Sequence, residues 1–182
     1  MCGGRGTRLD APVEKPLLEI GGRPMIDRVR LALAESSVQN SYAVVSPNAP
    51  RTHDHIAETL PVIETAGDGY VEDLQTALAH EVIEPPVVTT AADLPLLDGD
   101  AVDRLLNAYT GGSLTACVPA RLKRELGLRS ESAFDHGGRS VVPAGINVVE
   151  PGTEDAVFLT HDVRFAVNVN RRIDAIVAEE LL

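Results

Sequence analysis

Short apolar, β-branched runs recur along this chain, and each one ends in a polar loop that feeds a segment of helical period. Tyr42-Ala43-Val44-Val45 breaks at Ser46-Pro47-Asn48-Ala49-Pro50, Pro61-Val62-Ile63-Glu64 breaks at Thr65-Ala66-Gly67, and Pro86-Val87-Val88-Thr89-Thr90-Ala91-Ala92 breaks at Asp93-Leu94-Pro95. Unbroken apolar runs of this length suit strands covered on both faces, with the intervening helices as the cover. The pattern predicts a three-layer α/β/α sandwich with a mostly parallel, Rossmann-like sheet whose ligands bind at the strands' carboxyl ends. Helices are expected over 24–35, 51–60 and 101–109, with a further one carrying Val71, Leu74, Leu78 and Val82. Asp98 and Asp100 are placed to cap the helix over 101–109. Later strands are expected over 113–120, over 141–149 with an interruption at Pro143-Ala144-Gly145, and over 165–170, and a hairpin turn at Phe134-Asp135-His136-Gly137-Gly138-Arg139. The closing helix over 171–182 should turn Ile173, Ile176, Val177 and Leu181 inward. With 182 residues and 44% hydrophobic content, the chain reads as one domain over 1–182.

The first sixteen residues carry the densest chemistry. Gly3, Gly4 and Gly6 alternate with Arg5 and Arg8 around Thr7, ahead of Glu14-Lys15-Pro16. Glycine lets successive N–H groups approach an anion closely, so the stretch reads as a phosphate cradle, with an ordinary glycine loop as the alternative. It lacks the Gly-Lys-Ser/Thr ending of a P-loop, and it does not fit the dinucleotide fingerprint. Lys15 and Lys123 are the only two lysines, against fourteen arginines. Lysine is a compact point charge on a flexible stem, which suits a phosphate that moves during reaction. Gly-Gly-Arg-Gly-Thr-Arg followed by Glu-Lys-Pro-Leu resembles the signature of nucleotidyltransferases that consume a nucleoside triphosphate and release pyrophosphate.

Asp93 stands at the tip of the apolar strand, where a lone acid beside triphosphate-binding residues is a natural Mg²⁺ ligand; the alternative is a cap for the following turn. Asn168 and Asn170 alternate and share a face, and Asn170 reads equally as a metal ligand or a helix cap. His53 and His55, at i and i+2, fall on different helix faces and read as exposed helix residues. Arg121-Leu122-Lys123-Arg124 with Arg129 forms either a solvated arm or an anion clamp. Cys2 and Cys117 are too few for a disulfide framework or zinc site, and they read as bystanders in a reduced, cytoplasmic setting. A net charge of −11 argues against nucleic acid or an anionic membrane as partner. No apolar run approaches the ~20 residues that span a bilayer, so no integral membrane segment is expected. The acidic, lysine-poor composition also looks like halophilic adaptation to a salt-rich cytoplasm.

Gly3-Gly4-Arg5-Gly6-Thr7-Arg8, Ser46-Pro47-Asn48-Ala49-Pro50, Gly67-Asp68-Gly69-Tyr70-Val71-Glu72-Asp73-Leu74 and Val142-Pro143-Ala144-Gly145-Ile146-Asn147-Val148-Val149 together resemble the archaeal GTP:adenosylcobinamide-phosphate guanylyltransferases of cobalamin biosynthesis, within the MobA-like nucleotidyltransferase superfamily. The likeness covers nearly the whole chain; it departs at Cys2 and Arg5, where the commoner pattern has Ala and Lys. The resemblance implies attack by a corrinoid phosphate on the α-phosphorus of GTP, with loss of pyrophosphate. Such a nucleophile is already anionic and needs no general base. The implied catalytic residues are Arg5, Lys15 and Asp93. The nucleotide would be bound by Gly3, Gly4, Arg5, Gly6, Thr7, Arg8, Lys15, Ser46, Asn48, Gly67, Gly69, Glu72 and Asp73, and the acceptor by Pro143, Ala144, Gly145, Asn147 and Asn168. Mg²⁺ would sit on Asp93 and Asn170, and a homodimer is one assembly open to the chain. The alternatives are a molybdopterin or sugar-phosphate nucleotidyltransferase, or a catalytically silent nucleotide-binding regulator. A phosphate cradle normally follows a central strand, so the natural polypeptide is expected to begin upstream of Met1 with an apolar, β-branched segment of about five residues.

Overall fold

The computed structural model describes residues 1–2, 13–150, 152 and 155–182, so the cradle residues Gly3, Gly4, Arg5, Gly6, Thr7 and Arg8 lie outside the described residues. After a 3₁₀ turn at Lys15–Leu17, strands β1 (Glu19–Ile20) and β2 (Arg23–Pro24) form a hairpin, and helix α1 spans Met25–Ala34. The hairpin turns on Gly21 and Gly22, both at positive φ, as a two-residue connection requires. There follow β3 (Ala43–Val45), α2 (Pro50–Ala57), β4 (Val62–Glu64), α3 (Tyr70–Leu78), β5 (Val87–Thr90) and α4 (Gly99–Ala108). The remainder comprises β6 (Ser113–Pro119), α5 (Ala120–Glu125), β7 (Phe134–His136), β8 (Arg139–Val149), β9 (Asp155–Leu159) and α6 (Arg172–Glu180).

The strands pair in the orders β3-β4 and β5-β8-β6-β9, with β7 hairpinned onto β8. β3 and β4 are parallel, as are β6 and β9, and β8 runs against β5 and β6. The first two residues stitch the two groups together. Cys2 N donates to Val44 O at 2.9 Å, the Met1 ammonium donates to Thr90 O at 2.9 Å, and Ala92 N donates to Met1 O at 3.3 Å. Beyond Met1 a groove of about 600 Å³ continues between β3 and β5, lined by Tyr42 and Val44 on one side and Val88 and Thr90 on the other.

Helices cover both faces of β3, which is why all three of its residues are buried. Ala43 and Val45 join Ile26 of α1 and Ile56 of α2, whereas Val44 points the other way to Ile63 and Ala77 of α3. The main core lies between the α1/α4 pair and the sheet, where Val29, Val102 and Leu105 meet Ala116, Val118, Ala144 and Ile146. Each large side chain buried there, such as Leu105, contributes roughly 1.5–3 kcal/mol by leaving water. Asp98 starts α4, its carboxylate accepting Ala101 N at 2.9 Å, as its sequence position predicts.

Several expectations are corrected. Residues 165–170 do not form a strand: Asp162 accepts Arg164 N and starts a 3₁₀ turn at Val163–Phe165, after which the chain is extended without a ladder. The strand pairing with β6 is instead β9, which precedes that turn. β8 runs on as one strand through Pro143-Ala144-Gly145, but its ladder to β6 is irregular there, as the sequence predicts: Cys117 pairs with Pro143 and Thr115 with Asn147, so the extra residues of β8 form a bulge, with Gly145 at φ +85°. In α6 the buried residues are Asp174 and Ala178; of the four residues expected inward Val177 packs against the core, whereas Ile173 and Ile176 are each 51% exposed and Leu181 is 40% exposed. Asp174 sets that rotation, because its Oδ2 accepts the N–H groups of Asn170 and Arg171 and so faces the loop. Among the described residues no helix is long and apolar enough to cross a membrane.

Candidate active site

The loop carrying Lys15 is fixed from a distance. Helix α2 has no side-chain cap of its own, and the Glu14 carboxylate fills that role, accepting Arg51 N at 3.0 Å, Thr52 N at 2.7 Å and the Thr52 hydroxyl at 2.7 Å. Burial alone would raise the Glu14 carboxyl, but the bonds from Thr52 and Arg51 prevail and hold it below its ordinary range. Pro16 is buried at this turn, and the Lys15 side chain extends from it in one direction.

That direction leads to Asp93. The Lys15 ammonium donates to Asp93 Oδ2 at 2.6 Å and to Asn170 Oδ1 at 2.8 Å. Asp93 follows β5, and its carbonyl accepts Val169 N at 3.0 Å, which brings the extended 167–170 segment alongside. Val167 and Val169 are buried, so Asn168 and Asn170 project on the opposite side, toward the acid. Asn168 Nδ2 donates to Asp93 Oδ1 at 3.2 Å and to Ala144 O at 2.9 Å. Gly145, at φ +85°, makes this approach possible: a Cβ there would stand 3.1 Å from Asn168 Nδ2. Asn170 does not act as a helix cap with its side chain, since Asp174 takes that part.

A cavity of about 470 Å³ opens beside this cluster, with Lys15 and Asp93 on one wall and Asn48, Gly67, Gly69 and Asp73 on the other. The two loops that make the second wall lock together. Asn48 Nδ2 donates to Gly67 O at 3.4 Å, Asn48 N to Ser46 Oγ at 3.4 Å, and Gly67 N to Asp73 Oδ1 at 2.9 Å. Ser46 is buried behind the wall, and Glu72 reaches across Gly69, where an added Cβ would stand 2.6 Å from its Oε2. Pro143 and Asn147 lie along β8, Asn147 opposite Thr89 and Thr115 in the two ladders, and neither lines this cavity.

Two residues join the site that sequence reasoning did not place there. Tyr70, the first residue of α3, lines the cavity with 48% of its surface exposed; in a chain with 3% aromatic content its place after a glycine loop was a usable signal. Lys123 is neither a solvated arm nor an anion clamp. It is 5% exposed, and its ammonium donates to Asn168 Oδ1 at 2.9 Å. Burial pulls this ammonium below the usual lysine range, while the charges of Asp93 and Asp174 work to keep it protonated. Arg121 pairs instead with Glu125 at 2.7 Å on the surface. His53 approaches Asp54 and Glu64 whereas His55 bonds Asp27, so the two share no ligand. Cys117 is buried and its thiol is pushed up to about 11 by that burial, in keeping with a bystander.

Among the described residues no three His, Cys, Asp or Glu side chains cluster as a metal site. Asp93 Oδ2 and Asn170 Oδ1 nevertheless converge on one cation, the Lys15 ammonium. Two hard oxygens aimed at a single point form a donor pair that fits Mg²⁺, which takes one or two protein ligands and completes its shell with water and phosphate oxygens.

Known proteins resemble this chain in sequence and in fold. The adenosylcobinamide-phosphate guanylyltransferase of Methanocaldococcus jannaschii is 31% identical over 199 residues, covering 100% of this chain and 95% of that protein. The bifunctional protein GlmU of Streptomyces coelicolor is 30% identical over 134 residues, covering 65% of this chain and 27% of GlmU. A hypothetical transferase from Thermus thermophilus superposes with a TM-score of 0.71 at 16% identity, over 96% of each chain, and shares the fold. Residues 1–165 match the MobA-like NTP transferase domain, and it is to this family that the chain belongs.

Proposed function

We propose that the chain transfers the GMP moiety of GTP to adenosylcobinamide phosphate, giving the GDP-linked corrinoid and pyrophosphate. The observation that carries this reading is the Lys15–Asp93–Asn170 cluster at the end of β5 beside a nucleotide-sized cavity, in a chain similar along its whole length to an enzyme of that name. In the reaction an oxygen of the acceptor phosphate bonds to the α-phosphorus of GTP, and the bond from that phosphorus to the α–β bridging oxygen breaks. The electron pair leaves with pyrophosphate, and no proton need be removed from the nucleophile. Catalysis therefore rests on positioning and on countering charge. Lys15 supplies a mobile positive charge at the phosphates, with Gly3, Gly4, Arg5, Gly6, Thr7 and Arg8 as the proposed cradle. Asp93 and Asn170 would hold Mg²⁺, which when bound neutralises charge on the phosphates. Guanine offers N–H donors on its pairing edge, and Asn48, Asp73 and the Gly67 loop, which line the cavity, are the groups proposed to read it.

An acceptor panel tests the proposal. Purified protein with radiolabelled GTP and Mg²⁺ should release pyrophosphate with adenosylcobinamide phosphate. Turnover instead with N-acetylglucosamine 1-phosphate or molybdopterin would move the chain to another activity of its family, and no turnover with any acceptor would favour a regulator.

A further inference from the structure

We infer that Lys123 is a positioning residue of this site, acting through the Asn168 amide to orient the Asp93 carboxylate. The inference rests on the reading of Asp93 given above. An asparagine amide can present either its oxygen or its NH₂ to a neighbour, and the two choices are opposite in sign toward a carboxylate. A lysine ammonium has three donors and no acceptor, so at 2.9 Å it accepts only Oδ1 as its partner. With Oδ1 committed, Nδ2 faces Asp93 Oδ1 and Ala144 O. The flipped amide would set oxygen against both of those oxygens. Asp93 is thus held from two sides, Oδ1 by Asn168 and Oδ2 by Lys15. The only two lysines in the chain stand on either side of one aspartate, one touching it and one acting through an amide.

A purely structural role accounts poorly for this arrangement. Lys123 is 5% exposed, and its buried ammonium carries a desolvation cost, only partly offset by the charges of Asp93 and Asp174, that an apolar side chain of the same length would not incur. Nor is direct substrate contact its part, because Lys123 does not line the cavity.

A double-mutant cycle in guanylyl transfer, with Lys123→Met, Asn168→Ala and the pair, decides the matter. The Lys123→Met protein should lose about 10- to 100-fold in kcat, the range of coupling between residues in one network, with little change in KM for GTP. In the Asn168→Ala background, Lys123→Met should cost almost nothing more. Multiplying losses, or a loss confined to KM, would overturn the inference. If Lys123→Met melts below the assay temperature, Lys123→Gln replaces it, since a neutral amide can present oxygen or NH₂ and no longer commits Asn168 to one orientation. A loss on Lys123→Gln that persists undiminished in the Asn168→Ala background, or no loss at all, counts against the inference, and a loss that disappears there counts for it. Asp93→Ala separates the two layers of argument: undiminished turnover in that protein sinks the site itself, whereas its inactivity beside multiplying losses sinks only the part given to Lys123.

Discussion

Lys15 and Asp93, 78 residues apart in sequence, meet through a 2.6 Å bond between ammonium and carboxylate. Their side chains keep 18% and 14% of their surface exposed, so the pair is partly shielded yet reachable from the cavity. The Lys15 ammonium stands between two oxygens on a flexible stem, and in the proposed reaction it would turn to a phosphate while Asp93 and Asn170 would be the residues that hold Mg²⁺. This exchange links the resting cluster to the proposed chemistry.

Asp93→Ala and Lys15→Ala are each expected to lower turnover at least about 10²-fold, the scale of removing one charge that stabilises a transition state. Raising Mg²⁺ should rescue neither at saturation. Near-normal rates in a folded Asp93→Ala protein would remove the acid from the metal site.

Gly67 sits at φ +80°, and a Cβ there would lie 2.6 Å from Asn48 Nδ2 and 3.0 Å from Ser46 Cβ. Gly67→Ala should therefore push the two loops of this wall apart and, on the proposed function, raise KM for GTP more than it lowers kcat. The opposite split would mean that this wall acts in the chemical step.

Base choice follows from the same wall. Acceptors that suit the N–H edge of guanine are left without partners by adenine, which reverses donors and acceptors, so titration calorimetry should show GTP binding far better than ATP. Equal affinities would place the base elsewhere.

The Glu14 anchor predicts a pH effect of definite sign. Its carboxyl is held below the ordinary value of 4.5, because bonds from Thr52 and Arg51 overcome the opposing effect of burial. A lowered carboxylate contributes stability that is fully present above its unfolded-state value and is lost as pH falls through the lowered folded-state value. The thermal midpoint of the wild type should exceed that of Glu14→Gln at pH 7, and the gap should narrow as pH falls below the unfolded-state value. A gap that does not narrow in acid would show that the charge of Glu14 is not what secures α2.

How much of this was legible in the sequence depends on whether the signal was local. Asp93 at a strand tip, Asp98 as a cap and the loops at Ser46 and Gly67 were readable because the neighbours in sequence impose them. Phe165 to Asn170 misled because its alternation reflects burial, with Val167 and Val169 inward and two asparagines outward. Alternation says that a segment is extended and one side is covered, not that another strand pairs with it. β9 was missed, although Ala156 to Leu159 is apolar, because its pairing with β6 is a long-range choice. The inward face of α6 was misread for a related reason: a polar residue, Asp174, turns inward to hold the Asn170 loop, and Ile173 and Ile176 rotate out. Lys123 showed its rarity in the sequence but not its place, since its partner is 45 residues away.

The groove ahead of Met1 gives the last prediction. Cys2 N bonds Val44 O on one side and the Met1 ammonium bonds Thr90 O on the other, so the chain already runs between β3 and β5 where it enters the described structure. Met1 O accepts Ala92 N while its own nitrogen donates to Thr90, and one residue bonded to two alternate positions of its neighbour is a parallel register. From there the groove runs on between the same two strands, with Leu33 and Leu106 at one wall and Ala77 and Leu78 at another. A strand set into it would gain main-chain partners on two edges and apolar cover on both faces. Adding about five apolar, β-branched residues directly before Met1, a usual strand length, should raise the thermal midpoint by several degrees. Hydrogen exchange should show new protection in the added residues and greater protection at Tyr42 to Val44 and Val87 to Thr90. A polar Gly/Ser extension of equal length serves as the control and should do neither. If the apolar extension leaves melting and exchange unchanged, the groove does not accept a strand, and the sheet's centre is completed by other means.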